Sequence, residues 1–163
     1  MPLPGFSHMD KSAVYDMLVK RVCAEYDRMH SAAKDTADRA MEGEGRMKSR
    51  YDTKRIEGSY LADSLSKRTG ELLVEIQRAH EFKERASQVS EDVRVGSLVS
   101  LQEGDTVRHF FILPFLGGED IEAEGQTITV LTPSAPLAQA LLGRRTEDEP
   151  MFREHRYRIR AIE

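Results

Sequence analysis

The sequence predicts an α+β protein: an antiparallel coiled-coil hairpin of two long helices over residues 1–92, then a small α+β domain over 93–163. Two observations carry this. From Ser7 to about Ser90 the chain has no proline, and its apolar residues recur at steps of three and four. After Val93 the pattern changes to short β-branched and aromatic runs punctuated by glycine. Charged residues make up 32% of the 163 residues. That exceeds the usual quarter and suits solvated helices that bury only one stripe each.

The first helix opens at Ser7-His-Met-Asp10, which has the spacing of a capping box, an acid three residues after a hydroxyl. Its seam is Val19, Val22, Tyr26, Met29, Ala33, Thr36, Ala40, Gly43 and Met47, fading from bulky to small residues. The second seam is Leu61, Leu65, Leu72, Ile76, Ala79, Ala86 and Val89. Between them, Arg50-Tyr-Asp-Thr-Lys-Arg-Ile-Glu-Gly58 is rich in turn-compatible residues and predicts the hairpin tip at 50–58. Arms of roughly 40 residues would each reach about 60 Å at 1.5 Å per residue. Gly43, Gly45 and Gly70 lie within helical pattern, each costing about 1 kcal/mol against alanine.

Four strand-like runs follow: Ser97–Leu101, Val107–Leu113, Gln126–Leu131 and Arg156–Ile162. In the last, Tyr157, Ile159 and Ala161 alternate with Arg156, Arg158 and Arg160, so one face is apolar. Between the third and fourth, Pro133 ends a strand, Ser134 is placed to cap a helix, and Pro136 suits its first turn. Leu137, Leu141 and Leu142 supply the buried stripe of this nine-residue helix, and Gly143 suits a left-handed stop. One helix on a mainly antiparallel sheet is the expected arrangement.

Composition removes several function classes. A net charge of −4 excludes a generally basic nucleic-acid binder, though not a local patch. The single cysteine, Cys23, excludes an internal disulfide framework and a cysteine zinc site. The N-terminus lacks the basic region and apolar core of a signal peptide, and the longest apolar run, Phe110–Leu116, is too short to span a bilayer. A soluble, cytoplasmic protein is expected. The five histidines (His8, His30, His80, His109, His155) have no ligand spacing, and no phosphate loop or nucleophile elbow is present. Phe110, Phe111 and Phe115 are assigned to the core, not to a prolyl isomerase pocket.

The stretch Thr132-Pro-Ser-Ala-Pro-Leu-Ala-Gln-Ala-Leu-Leu-Gly143 resembles the "SP-x-A-x-A-L-I/L-G" signature in the C-terminal domain of the Gre family (GreA/GreB-like) of bacterial transcript cleavage factors. Val95-Gly-Ser-Leu-Val99 resembles the start of that domain. The resemblance implies a coiled coil followed by an FKBP-like domain. It also implies a transcription elongation factor that docks on RNA polymerase through Thr132, Pro133, Ser134 and Pro136 and reaches through the secondary channel. Such a factor is a monomer and not itself an enzyme: it stimulates the polymerase's own hydrolysis of backtracked RNA.

In the family, carboxylates at the tip help to hold Mg²⁺ shared with the polymerase active site, a hard ion that takes oxygen ligands. Laid on the family's tip, "D-L-K-E-N-A-E-Y", the segment Asp52–Tyr60 matches at Asp52, Lys54 and Tyr60. The second acid falls on Arg55, with Glu57 as substitute. The implied catalytic pair is thus Asp52 and Glu57, with Asp52 the metal ligand and Arg50, Lys54, Arg55 and Tyr60 contacting nascent RNA or nucleotide. A second register instead puts Glu44, Met47 and Tyr51 at the tip positions. Arg46–Glu57 departs from the family, with five basic residues (Arg46, Lys48, Arg50, Lys54, Arg55) against two acids. A positive tip opposes Mg²⁺ and suits phosphate. Two alternatives therefore stand beside cleavage: a Gre-like inhibitor that does not cleave, and a regulatory module for an unrelated protein. Asp52 also reads as a helix cap and Glu57 as a first-turn acid.

Overall fold

The computed structural model describes residues 9–42 and 51–163, with side chains over 9–39 and 60–163. Helix α1 spans Lys11–Glu42 and α2 spans Tyr51–Ala86. Asp10 itself caps α1: its carboxylate accepts the Ser12 and Ala13 N–H groups at 3.0 and 3.2 Å. Ser7 lies outside the described residues.

The roots of the helices run antiparallel and join the C-terminal domain. Tyr15 donates its hydroxyl to the Ala79 carbonyl at 2.5 Å, and Lys83 pairs with Asp16 at 2.8 Å. The Lys11 ammonium, almost fully buried, donates to the carbonyls of Gln88 (2.6 Å) and Gly96 (3.3 Å). Burial pushes its pKa down, and the Glu163 carboxylate acts in the opposite direction. α2 ends at Ala86 and β1 begins at Leu98, and packing does not divide the chain between them. α1 to Leu18 clusters with Ala79–Glu163, and Val19–Arg78 is a second unit.

Among the described residues of Val19–Arg78, the buried ones are Val22, Thr69, Leu72 and Ile76. On α2 the stripe reads Ala62, Leu65, Thr69, Leu72 and Ile76, in steps of three and four. Thr69 occupies the gap between Leu65 and Leu72, with its hydroxyl donating to the Leu65 carbonyl at 2.6 Å. This phase puts Ala62 inward and leaves Leu61, an expected seam residue, 53% exposed. Val89 is 80% exposed, because α2 stops at Ala86 and the helical period no longer applies to it.

The C-terminal domain contains strands β1 (Leu98–Glu103), β2 (Thr106–Ile112), β3 (Asp120–Ala123) and β4 (Gln126–Leu131), helix α3 (Pro136–Leu141), and strands β5 (Met151–Phe152), β6 (His155–Arg156) and β7 (Arg158–Ile162). Five strands form one sheet in the order β3-β4-β2-β1-β7, while β5 and β6 make a separate hairpin. The sheet is mixed: β2 and β4 run parallel, and the other neighbours are antiparallel. The parallel pair arises because the chain leaving β2 forms edge strand β3 before β4 inserts between them.

Alternation sends the two sheet faces to different partners. Val99, Leu101, Phe110, Ile112 and Ile159 share a core with Ala138 and Leu141 of α3. On the opposite face Phe111 meets the edge of Tyr15 at 6.0 Å between ring centres. Phe115 meets Tyr15 and Phe82 at 6.5 and 5.7 Å. The sheet is thus layered between α3 and the helix roots.

Candidate functional site

The junction of β4 and α3 is built from short-range constraints. The Ala135 N–H donates to the Thr132 carbonyl at 2.9 Å, closing a turn over Pro133 and Ser134. The Thr132 and Ser134 hydroxyls lie 3.1 Å apart. Gly117 packs so closely beneath this turn that a Cβ there would fall 2.5 Å from Thr132 Cγ2. Thr132 and Pro133 are half-buried, while Ser134 and Pro136 are exposed. The structure therefore brings all four expected docking residues into one constrained loop.

Two details differ from expectation. Ser134 does not cap α3: the N-cap is Ala135, with no side-chain bond to the helix. The cause is Pro136, which disfavours helical geometry in the residue before it; Ala135 is extended, at φ −62° and ψ 135°. The helix starts one residue too late for the Ser134 hydroxyl to act as its cap. α3 is also six residues long instead of nine, and its buried residues are Ala138 and Leu141, with Leu137 and Leu142 half-buried. Gly143 does adopt the left-handed stop, at φ +77°. Its N–H donates to the Val93 carbonyl and the Arg144 carbonyl accepts the Val93 N–H, both at 2.8 Å. The helix end is thereby tied to the chain entering the domain.

The tip residues fare differently. α1 ends at Glu42 and α2 begins at Tyr51, so the break expected at 50–58 is helical from Tyr51 onward. Lys54, Arg55, Ile56 and Glu57 are compatible with helix, and Gly43 and Gly45 lie outside the described residues. Asp52, Lys54, Arg55 and Glu57 occupy the first two turns of α2, with side chains outside the described residues. Asp52 is therefore inside the helix and not its N-cap. Arg50, Glu44 and Met47 lie outside the described residues. Tyr60 is 72% exposed on α2.

The described residues contain no group of three His, Cys, Asp or Glu side chains that could hold a metal ion, and no helix long and apolar enough to cross a membrane. A cleft of about 440 Å³ opens beside the end of α2, lined by Arg85, Val89, Arg94 and Leu142 among others; it includes none of the expected site residues. At its edge the Arg94 guanidinium and the Ser90 hydroxyl hold the Asp92 carboxyl down at about 2. Sequence reasoning missed a buried polar row across β1, β2 and β4. His109 Nε2 donates to Gln126 Oε1 at 2.5 Å, and Nδ1 lies 2.9 Å from the Ser100 hydroxyl. No local motif announces it, because its members meet only through strand register.

A helical hairpin leading into a small mixed-sheet domain is the class of architecture these elements define. The crystal structure of the GreA factor homolog 1 (Gfh1) protein of Thermus thermophilus is similar over 89% of this chain and 94% of its own, with TM-score 0.35 and 12% identity. Thermus aquaticus Gfh1 is similar over 88% of this chain and 92% of its own, with TM-score 0.34 and 13% identity. No family model matches the chain, and no curated protein sequence matches it significantly.

Proposed function

We propose that this chain is a Gre-like accessory factor that binds bacterial RNA polymerase and carries its helical hairpin into the secondary channel. The observation that supports this reading is the form taken by Thr132–Gly143. A strand end, a constrained Pro/Ser turn, a proline-led helix and a left-handed glycine follow in the order of the Gre signature, on a domain preceded by helices of 32 and 36 residues. A docking loop has to hold its shape before its partner arrives, and this one is held by a turn hydrogen bond and the Gly117 contact. Thr132, Pro133, Ser134 and Pro136 are the proposed polymerase contacts. The factor acts as a monomer.

At the tip, Asp52 with Glu57 as second acid would offer oxygen ligands to Mg²⁺ shared with the polymerase, an ion that stabilises charge on a phosphodiester undergoing hydrolysis. Arg50, Lys54, Arg55 and Tyr60 would contact the nascent RNA. One observation favours the form of the proposal in which the factor occupies the channel without promoting cleavage. The sequence 43–50, between the two helices, contains Glu44 as its only acid beside Arg46, Lys48 and Arg50, and positive charge there disfavours a second cation.

A backtracked elongation complex with Mg²⁺ tests both forms. Release of short 3′ RNA fragments, abolished by Asp52→Ala with binding retained, establishes the cleaving form. Binding with slowed synthesis and no release establishes the other. Absence of polymerase binding overturns the proposal and leaves a regulatory module for an unrelated partner.

A further inference from the structure

The β5–β6 hairpin has a feature that the docking loop does not account for. Its two turn residues, Arg153 and Glu154, both have positive φ, at 47° and 67°. The β3–β4 turn uses a similar pair of left-handed residues but puts glycine second, with Glu124 at 53° and Gly125 at 74°. Side chains at both positions carry a steric penalty, and such outliers cluster where a surface serves binding.

The side chains around this turn are arranged for contact. Met151 is 61% exposed, and the Arg153 guanidinium lies 5.2 Å from the centre of the Phe152 ring. Phe152 and Leu137 of α3 pack on the same core, so the hairpin and the proline-led helix form adjoining surface. Nearby arginines are occupied: Arg156 and Arg158 pair with Glu149, and Arg160 with Glu147. Among the described residues, Arg153 has no carboxylate partner. Its stacked guanidinium keeps edge N–H groups for a planar acceptor, and a methionine beside it adapts to an apolar side chain of varied shape.

We infer that Met151 and Arg153 form a second contact surface, next to the Thr132–Pro136 loop, for a protein segment presenting an apolar side chain beside a carboxylate. The inference rests on the polymerase reading, with the segment belonging to the polymerase. Glu149 and Glu147 already engage Arg156, Arg158 and Arg160. Of the arginines on this hairpin and the strand after it, Arg153 is therefore the one left to meet an acid, which suits a single carboxylate better than a polyanion such as RNA.

The test is the affinity of the full chain and its variants for core polymerase, alongside thermal melting. Arg153→Glu should weaken binding about tenfold and Met151→Ala about threefold, with melting unchanged. If Arg153→Glu melts early, Arg153→Gln decides: normal melting with weakened binding supports the inference, and normal binding overturns it. Wild-type affinity in both Met151 and Arg153 variants, with loss in Ser134→Lys, overturns this surface and leaves the polymerase reading intact. An equal loss of affinity for free RNA assigns the surface to nucleic acid and also overturns it. A wild-type chain that binds no polymerase removes both.

Discussion

The same two helices are packed in two ways along their length. At the roots, Met9, Val14, Tyr15, Leu18, Ala79 and Ala86 are buried, Tyr15 of α1 meets Phe111 of β2, and Phe82 of α2 meets Phe115 just beyond that strand. Between Val19 and Arg78, Val22, Thr69, Leu72 and Ile76 are buried, flanked among the described residues by half-buried Met29, Ala33, Thr36 and Leu65. A helix of this length gains most of its stability from tertiary packing. The difference therefore teaches that the roots share the stability of the domain, while the remainder relies on a single stripe and opens at lower free energy.

The largest expected effect separates the two regions. Leu18 has no exposed surface, so Leu18→Ala should cost about 3 kcal/mol through lost burial and the cavity left behind. Met29→Ala, in the single stripe, should cost only about 1 kcal/mol. Urea unfolding followed by circular dichroism measures both. Equal losses would mean that the two regions are equally well packed, and the comparison would fail.

The contrast also explains which residues could be read from the sequence. A single stripe at steps of three and four is a periodic signal, and Val22, Leu72 and Ile76 stood out by it. Lys11, Val14, Tyr15 and Leu18 are buried at the i, i+3, i+4 and i+7 positions of an ordinary helix face, and they were missed because the seam was started at Val19, which is half-buried. Thr69 escaped because a hydroxyl satisfied within its own helix is not apolar in the sequence. β3 was hidden by its brevity and its two acids, Asp120 and Glu122. The Arg153-Glu154 turn lacks the glycine or asparagine that marks such turns. The Thr132–Gly143 loop was legible because its constraints are local; the helix start moved, displaced by Pro136, and the helix is shorter than expected, with Ala138 and Leu141 as its buried residues.

A smaller effect sharpens the comparison at the roots. The Tyr15 phenol is pushed up to about 12, first by burial and second by the Asp16 carboxylate. An unfolded tyrosine ionises near 10, so the unfolded state loses its proton first. The stabilisation is fully present below pH 10 and is lost progressively as pH rises towards 12. Tyr15→Phe removes the hydrogen bond to the Ala79 carbonyl at a cost of about 1 kcal/mol near neutrality. It should also flatten this alkaline decline. Denaturation midpoints from pH 8 to 11.5 measure it, and parallel declines in the two proteins would show that other groups control alkaline unfolding.

The smallest effect runs in the opposite direction and probes the single stripe. The Thr69 hydroxyl donates to the Leu65 carbonyl, which in an α-helix already accepts the N–H of residue 69. Thr69→Val therefore removes a donor without orphaning an acceptor. It keeps the β-branch, so the change in helix propensity is a few tenths of a kcal/mol or less. What remains is a methyl group in place of a hydroxyl at a buried site, a gain of about 0.5 kcal/mol. Because the site lies in Val19–Arg78 and not at the roots, the gain should appear as slower amide exchange in α2 around residue 69, with exchange in β1 and β2 unchanged. Slowing of the sheet amides to the same extent would show that the helices and the sheet open as one cooperative unit, and the uneven distribution of stability argued from Leu18 and Met29 would no longer hold.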